Sequence, residues 1–188
     1  PCKGYVIVNG IDTRRASPAR MARHVGIVFQ DPEKYFVSET VWDEAAFGVR
    51  NLNLDESLVG EALDMLGLIC KKDSSPYSLS MGEKIRLSIA SVIAMNPEII
   101  ILDEPTTGQD DETLRQIIAI INKIKSIGKT IIIVTHDSDF TLSVADRIVV
   151  LNDGSVIAEG DPAKILKDSK LIDDAGIEPP SIMSEEKC

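Results

Sequence analysis

Two acids, Asp103 and Glu104, stand side by side at the end of an apolar run, Ile99-Ile100-Ile101-Leu102, and Pro105 follows them. A short β-branched run of this kind predicts a strand buried on both faces. Proline cannot donate to a ladder, so the strand should end there. In open α/β sheets ligands bind beyond the carboxyl ends of the strands, which puts these acids where a reaction would be carried out. Successive strand side chains point to opposite sides, so the two acids are expected to have different tasks. One can hold a divalent metal, and the other can orient or deprotonate a water. A solvated acidic turn would give the same local sequence. Three further segments carry groups suited to the same chemistry.

The first is 24–30, HVGIVFQ, a second apolar strand ending on Gln30 and broken by Asp31-Pro32. An amide at a strand end can contact a metal or a water, or it can simply cap a turn. The second is Ser80-Met81-Gly82-Glu83, a capping box ahead of Ile85, Leu87, Ile89, Ala90, Ile93 and Ala94. That pattern alone gives a well-capped amphipathic helix. Ser80 and Gly82 also put a hydroxyl and unobstructed backbone N–H groups at a helix N-terminus, where the macrodipole favours an anion such as phosphate. The third is a strand over 131–134 that ends on Thr135, His136 and Asp137. Between the 99–102 strand and this one, 112–127 reads as a helix with Leu114, Ile117, Ile118, Ile121 and Ile124 on one face. Strand, helix, strand is the unit of a parallel sheet, so His136 is expected near Asp103 and Glu104. A histidine there can contact a phosphate or a water.

The remaining segments must position these groups. Residues 5–9 predict a short strand turned by Asn9-Gly10. Residues 39–70 are helix-rich: Thr40 can cap a stretch containing Val41, Ala45 and Phe47, and Asp55 or Ser57 can cap the segment through Leu68. Residues 71–76 form a polar linker, and 147–151 and 156–159 flank Asn152-Asp153-Gly154 as a hairpin. An amphipathic helix follows Pro162, and the polar, acidic end of the chain predicts flexibility over 173–188. The organisation expected is one α/β domain over 1–166, with a helical subdomain at about 38–95, and a flexible C-terminal tail over 167–188.

The 188 residues suffice for one domain with a sizeable core. A formal net charge of −10 argues against a basic surface, so no nucleic-acid partner is expected. No apolar run reaches transmembrane length, so a membrane connection would run through a partner. Cys2, Cys70 and Cys188 lack metal-ligand spacing and fit a reducing compartment better than a disulfide framework.

In order and spacing these segments resemble the ATP-binding subunits of ABC (ATP-binding cassette) transporters, from about Gly4 to about Leu166. Gln30 in VFQDPE looks like the Q-loop, and LSMGEK (79–84) looks like the signature motif that touches ATP from the opposite subunit. IIILDEP (99–105) resembles the Walker B strand, which would give Asp103 the support of Mg²⁺ and Glu104 the polarisation of the attacking water. TTGQDD matches the D-loop with Asp110 in its acidic position, and VTHD supplies the switch histidine, His136. VFQDPE followed by TVWDEAAFGVRNL is similar to the energy-coupling factor ATPases, which power uptake of vitamins or transition-metal ions. The resemblance implies a P-loop NTPase-like α/β core with ATP and Mg²⁺ as ligands. It implies catalysis by Glu104 and His136, metal contacts from Gln30 and Asp103, and nucleotide contacts from Gln30, Ser80, Gly82, Glu83 and Asp110. It also implies a head-to-tail dimer with a second ABC ATPase subunit, identical or not. An integral membrane subunit would dock on 38–77, at the cytoplasmic face of the membrane.

The sequence departs from the family pattern in two ways. Met81 and Glu83 replace the commonest Gly and Gln of the signature. No G-x-x-x-x-G-K-[ST] segment occurs either; Gly128-Lys129-Thr130 imitates its end, but Lys123 stands at the first glycine's position and the order runs from helix into strand. In the family the phosphate-binding loop precedes the segment that begins here near Gly4, so the expectation is an N-terminally truncated cassette that is inactive in isolation. Two other readings stand beside the transport subunit: an ABC ATPase of DNA repair or translation, and a non-catalytic cassette that completes a partner's ATP site.

Overall fold

The computed structural model describes residues 3–181. β1 (Ile7–Val8) and β2 (Ile11–Asp12) form a small antiparallel hairpin across Asn9-Gly10. The strand expected over 5–9 is therefore only two residues long. Ser17 caps α1 (Pro18–Ala22), and β3 (Val25–Val28) follows. The helix-rich stretch holds α2 (Val41–Asn51) and α3 (Ser57–Met65). Thr40 caps α2 by accepting from the Asp43 N–H at 3.0 Å, as its sequence position predicts. At α3 the cap residue is Glu56 without a side-chain bond; Asp55 instead accepts from the Ser57 N–H at 2.9 Å, closing a turn one residue earlier.

The second half runs α4 (Met81–Ala94), β4 (Ile99–Asp103), α5 (Asp111–Ser126), β5 (Thr130–Val134) and α6 (Ser138–Val144). It ends with the hairpin β6 (Ile148–Asn152) and β7 (Ser155–Gly160), then α7 (Pro162–Ile165) and α8 (Ser169–Ala175). β3, β4 and β5 form a parallel sheet in that order, so β4 is central. Both crossovers are helical, as parallel pairing requires.

The core lies on one side of this sheet. Val28, Ile100 and Leu102 are buried in one cluster with Leu87, Ile89 and Ala90 of α4 and with Ile117, Ile121 and Ile124 of α5. Gly26 lets α4 approach β3 closely, because a Cβ there would sit 2.2 Å from Val92 Cγ1. The expectation that β4 is buried on both faces is corrected. Ile99 and Ile101 are only partly covered, and on the same face Ile27, Ile132 and Val134 are 45–52% exposed. An all-apolar strand states that both faces can be buried; what covers the second face is not written in the strand itself.

The expected tail is also more ordered than its composition suggests. Asp168 caps α8, Ile172 is buried, and Gly176 ends the helix in the left-handed region at φ 65°. The Ser138 hydroxyl then donates to the Glu178 carbonyl, and the Ser181 N–H donates to Asp139 at 3.0 Å. Flexibility over 182–188 lies outside the described residues. Among the described residues, no helix is long and apolar enough to cross a membrane.

Candidate functional site

Register brings the acids, the amide and the histidine together. Val28 pairs with Leu102 and Asp103 with Val134, so Gln30, Glu104 and His136 all leave the sheet at the same end. Glu104 turns the chain there. Its φ of +47° lies in the left-handed region that a residue with a Cβ seldom adopts, and its N–H donates to the Val134 carbonyl at 2.9 Å. The turn swings its side chain out of the strand pleat. Glu104 Oε1 then lies 3.0 Å from His136 Nδ1, and Oε2 accepts from the Thr107 hydroxyl at 3.3 Å. Glu104 is mostly covered, whereas the imidazole of His136 is 80% exposed. The carboxylate raises the His136 pKa, first by accepting its hydrogen bond and then by charge attraction. Asp103 remains on the strand, half-buried, next to Gln30's exit.

This donor set fits a magnesium ion. The groups at the sheet end are hard oxygens of a carboxylate and an amide, and they come from two adjacent strands rather than from a closed cage. Mg²⁺ is ordinarily held by one or two such groups plus substrate phosphates. A polar hollow of about 400 Å³ opens beside His136, lined also by Thr106, Thr107, Gly108, Asp137 and Glu178 among others, and neither Asp103 nor Gln30 lines it.

The second group forms at the start of α4. Ser80 Oγ accepts from the Glu83 N–H at 3.3 Å, and the Glu83 carboxylate accepts from the Ser80 N–H at 3.0 Å. The capping box read from the sequence is therefore present, and it has a consequence. Two backbone donors are consumed internally, which leaves the N–H groups of Met81 and Gly82 and the Ser80 hydroxyl to meet an external anion. Glu83 is committed further: its Oε1 receives Lys71 Nζ at 2.6 Å, and that ion pair with the cap holds its carboxyl below the usual range. Its place is in the scaffold of the helix end. Gly82 is constrained from outside, since a Cβ would meet Thr113 Cγ2 and Oγ1 at 3.0 Å. Thr113 belongs to α5, whose N-cap is Asp110; the Asp110 carboxylate accepts from the Thr113 N–H at 2.7 Å, which lowers its pKa. So Ser80, Gly82 and Asp110 share one edge, while Gln30, Asp103, Glu104 and His136 share the sheet end.

Thr107 and Thr113 escaped the sequence reading. Thr107 had a usable signal, three residues after Glu104 in a turn; Thr113 had none, because its contact is with a different helix. A shallow apolar groove of about 410 Å³ lies between α1, α2 and α4, lined by Phe47, Gly48, Leu52, Val92 and Met95 among others.

A family model described as ABC transporter matches residues 1–107. A putative ABC transporter ATP-binding protein of Pyrococcus furiosus is 48% identical over 165 residues, which are 86% of this chain and 64% of that protein. The energy-coupling factor transporter ATP-binding protein EcfA of Methanothermobacter thermautotrophicus is 41% identical over 96% of this chain and 60% of its own length. The chain thus spans less than two thirds of either relative. The solved structure of cbiO1 from Clostridium perfringens, described as part of the ABC transporter complex cbiONQ, superposes with a TM-score of 0.82 at 32% identity. It matches all of this chain and 78% of that one.

Proposed function

The chain belongs to the ABC transporter family of ATP-binding proteins, with the family's ATPase cassette fold, and from that premise we propose that it works as an ATP-hydrolysing subunit coupled to solute uptake. The observation that carries this reading is the convergence of Gln30, Asp103, Glu104 and His136 at the ends of three neighbouring parallel strands.

In this reading Glu104 is the base that polarises the attacking water. His136 holds its carboxylate in place and can shift to the γ-phosphate. Asp103 and Gln30 would hold Mg²⁺, which when bound would offset the charge of the phosphates. Ser80 and Gly82 donate to the phosphates of an ATP held by a second cassette, arranged head to tail. Asp110 shapes the same edge, and Glu83 keeps the helix end rigid by its cap. Catalysis is then mainly positioning and charge stabilisation, as in other phosphoryl transfers.

The groove beside α2, close to the Gln30 loop, suits a helix of an integral membrane subunit, which would place the protein at the cytoplasmic face of a membrane. A vitamin or metal ion as the solute follows from the resemblance to the energy-coupling factor ATPases, a likeness that the EcfA relative supports. A second reading is favoured by one sequence observation. Residues 1–188 contain no G-x-x-x-x-G-K-[ST] segment, and the backbone amides and lysine of that loop are what ordinarily hold nucleotide phosphates. By themselves these residues would complete a partner's ATP site rather than fill their own.

The test is Glu104→Gln in a chimera carrying a phosphate-binding strand–loop–helix upstream of Pro1. ATP binding should persist while turnover falls by about 10²–10³-fold, the usual effect of removing one well-placed group. Unchanged turnover would sink the assignment.

A further inference from the structure

The segment after Gln30 is fastened to the helical part of the molecule, not to the strand it leaves. Phe36 is buried, and its carbonyl accepts from the Tyr77 hydroxyl at 2.9 Å. The Val37 and Ser38 N–H groups both donate to the buried Glu44 carboxylate of α2, at 2.9 Å each. These ties anchor 36–38 to α2 and to the turn before α4. A third tie is different in kind. Glu33, three residues beyond Gln30, pairs its carboxylate with Lys84 Nζ in the first turns of α4. The Lys84 side chain is only 11% exposed. An ammonium this well covered needs its partner, because an unpaired charge in such a place is costly. Between β3 and Glu33 there are only four residues, 29–32, and Pro32 stiffens the last of them.

We propose that Lys84 is a positioning residue. Through Glu33 it makes the Gln30 loop and the Ser80–Glu83 end of α4 move as one body, so that a ligand displacing one displaces the other. The value of this motion to function rests on reading Gln30 as a metal and phosphate sensor and Ser80 as a phosphate donor. The coupling itself does not depend on that reading. Lys84 follows Glu83 directly, so a pull on its ammonium acts on the residue that closes the cap on Ser80.

Amide hydrogen exchange on the full 188-residue chain tests the coupling with no nucleotide present. Lys84→Met keeps the side-chain volume and removes the charge. It should speed exchange at Tyr35, and at Ser80, Glu83 and Lys84, whose N–H groups are hydrogen-bonded, by about tenfold, while 117–124 of α5 is unchanged, as expected for one local opening unit. The charge swap Glu33→Lys with Lys84→Glu should restore both regions together. Acceleration confined to one region, or failure of the swap to restore either, overturns the proposal. If Lys84→Met accelerates 117–124 as well, the substitution has loosened the whole fold. Glu33→Gln, at the more exposed end of the pair, then carries the same expectation of paired acceleration and the same refutation. Failure of the ATPase reading would appear elsewhere, as unchanged turnover in Glu104→Gln with the coupling intact.

Discussion

Replacing Gly26 by alanine should be among the most damaging single-methyl additions in the molecule, and Val92→Ala should repair part of the damage. The added Cβ would lie 2.2 Å from Val92 Cγ1 and 3.2 Å from Pro97 Cγ. Carbon atoms pack at about 3.5–4.0 Å, so α4 or β3 must give by more than an ångström. Overpacking a dense core costs about 1–3 kcal/mol, and a clash this short against a β-branched side chain belongs at about the upper limit. Val92→Ala alone removes two methyl groups from a buried position and should cost about 2 kcal/mol, transfer and cavity together. In the double variant the new methyl occupies the space left by the valine. The loss should then fall short of the sum by about 1–2 kcal/mol, well within measured couplings between touching residues. Urea unfolding of the four proteins, with free energies extrapolated to water, gives the coupling directly. Additivity within about 0.5 kcal/mol would refute the claim that Gly26 sets the spacing between the strand bearing Gln30 and the helix bearing Ser80.

Two further outcomes follow from the site. Ser80→Ala removes the acceptor for the Glu83 N–H and should cost about 1 kcal/mol of stability by denaturant titration; a neutral result would mean that the Glu83 carboxylate alone caps α4. The His136–Glu104 pair should be pH-dependent in a set direction. Its folded pKa is raised above the ordinary histidine value, so the contact is fully present below about pH 6.5 and is lost as pH rises through the raised value. Imidazole NMR titration should show a His136 midpoint above that of a histidine peptide, and Glu104→Gln should bring it back.

Local signals were legible in the sequence wherever one segment decides its own structure. Ser80 and Glu83 announce their capping box, Thr40 its cap, and Asp153-Gly154 its hairpin, because each bond closes within a few residues. The meeting of Glu104 and His136 was legible too, since a strand–helix–strand unit has one handedness and one active end. What depended on distant partners was not. Nothing near Ile132 or Val134 says that their face of the sheet stays open. Ile172 gave no hint that it anchors a helix in a stretch that reads as tail. The Thr113 contact that constrains Gly82, and the Glu33–Lys84 pair, join segments 31 and 51 residues apart, and no periodicity encodes them.

For residues 1–188 taken by themselves we propose that they offer the Ser80–Gly82 helix end to a nucleotide held by another cassette and do not hold Mg-ATP alone, the catalytic groups acting once a phosphate-binding loop is supplied. Calorimetric titration of Mg-ATP into the 188-residue chain tests it most directly, with a parallel titration in the presence of an intact cassette. The account predicts no appreciable heat of binding for the chain alone, and binding to the mixture that weakens with Ser80→Ala. Micromolar binding by the chain alone, accompanied by ordinary turnover, would contradict it.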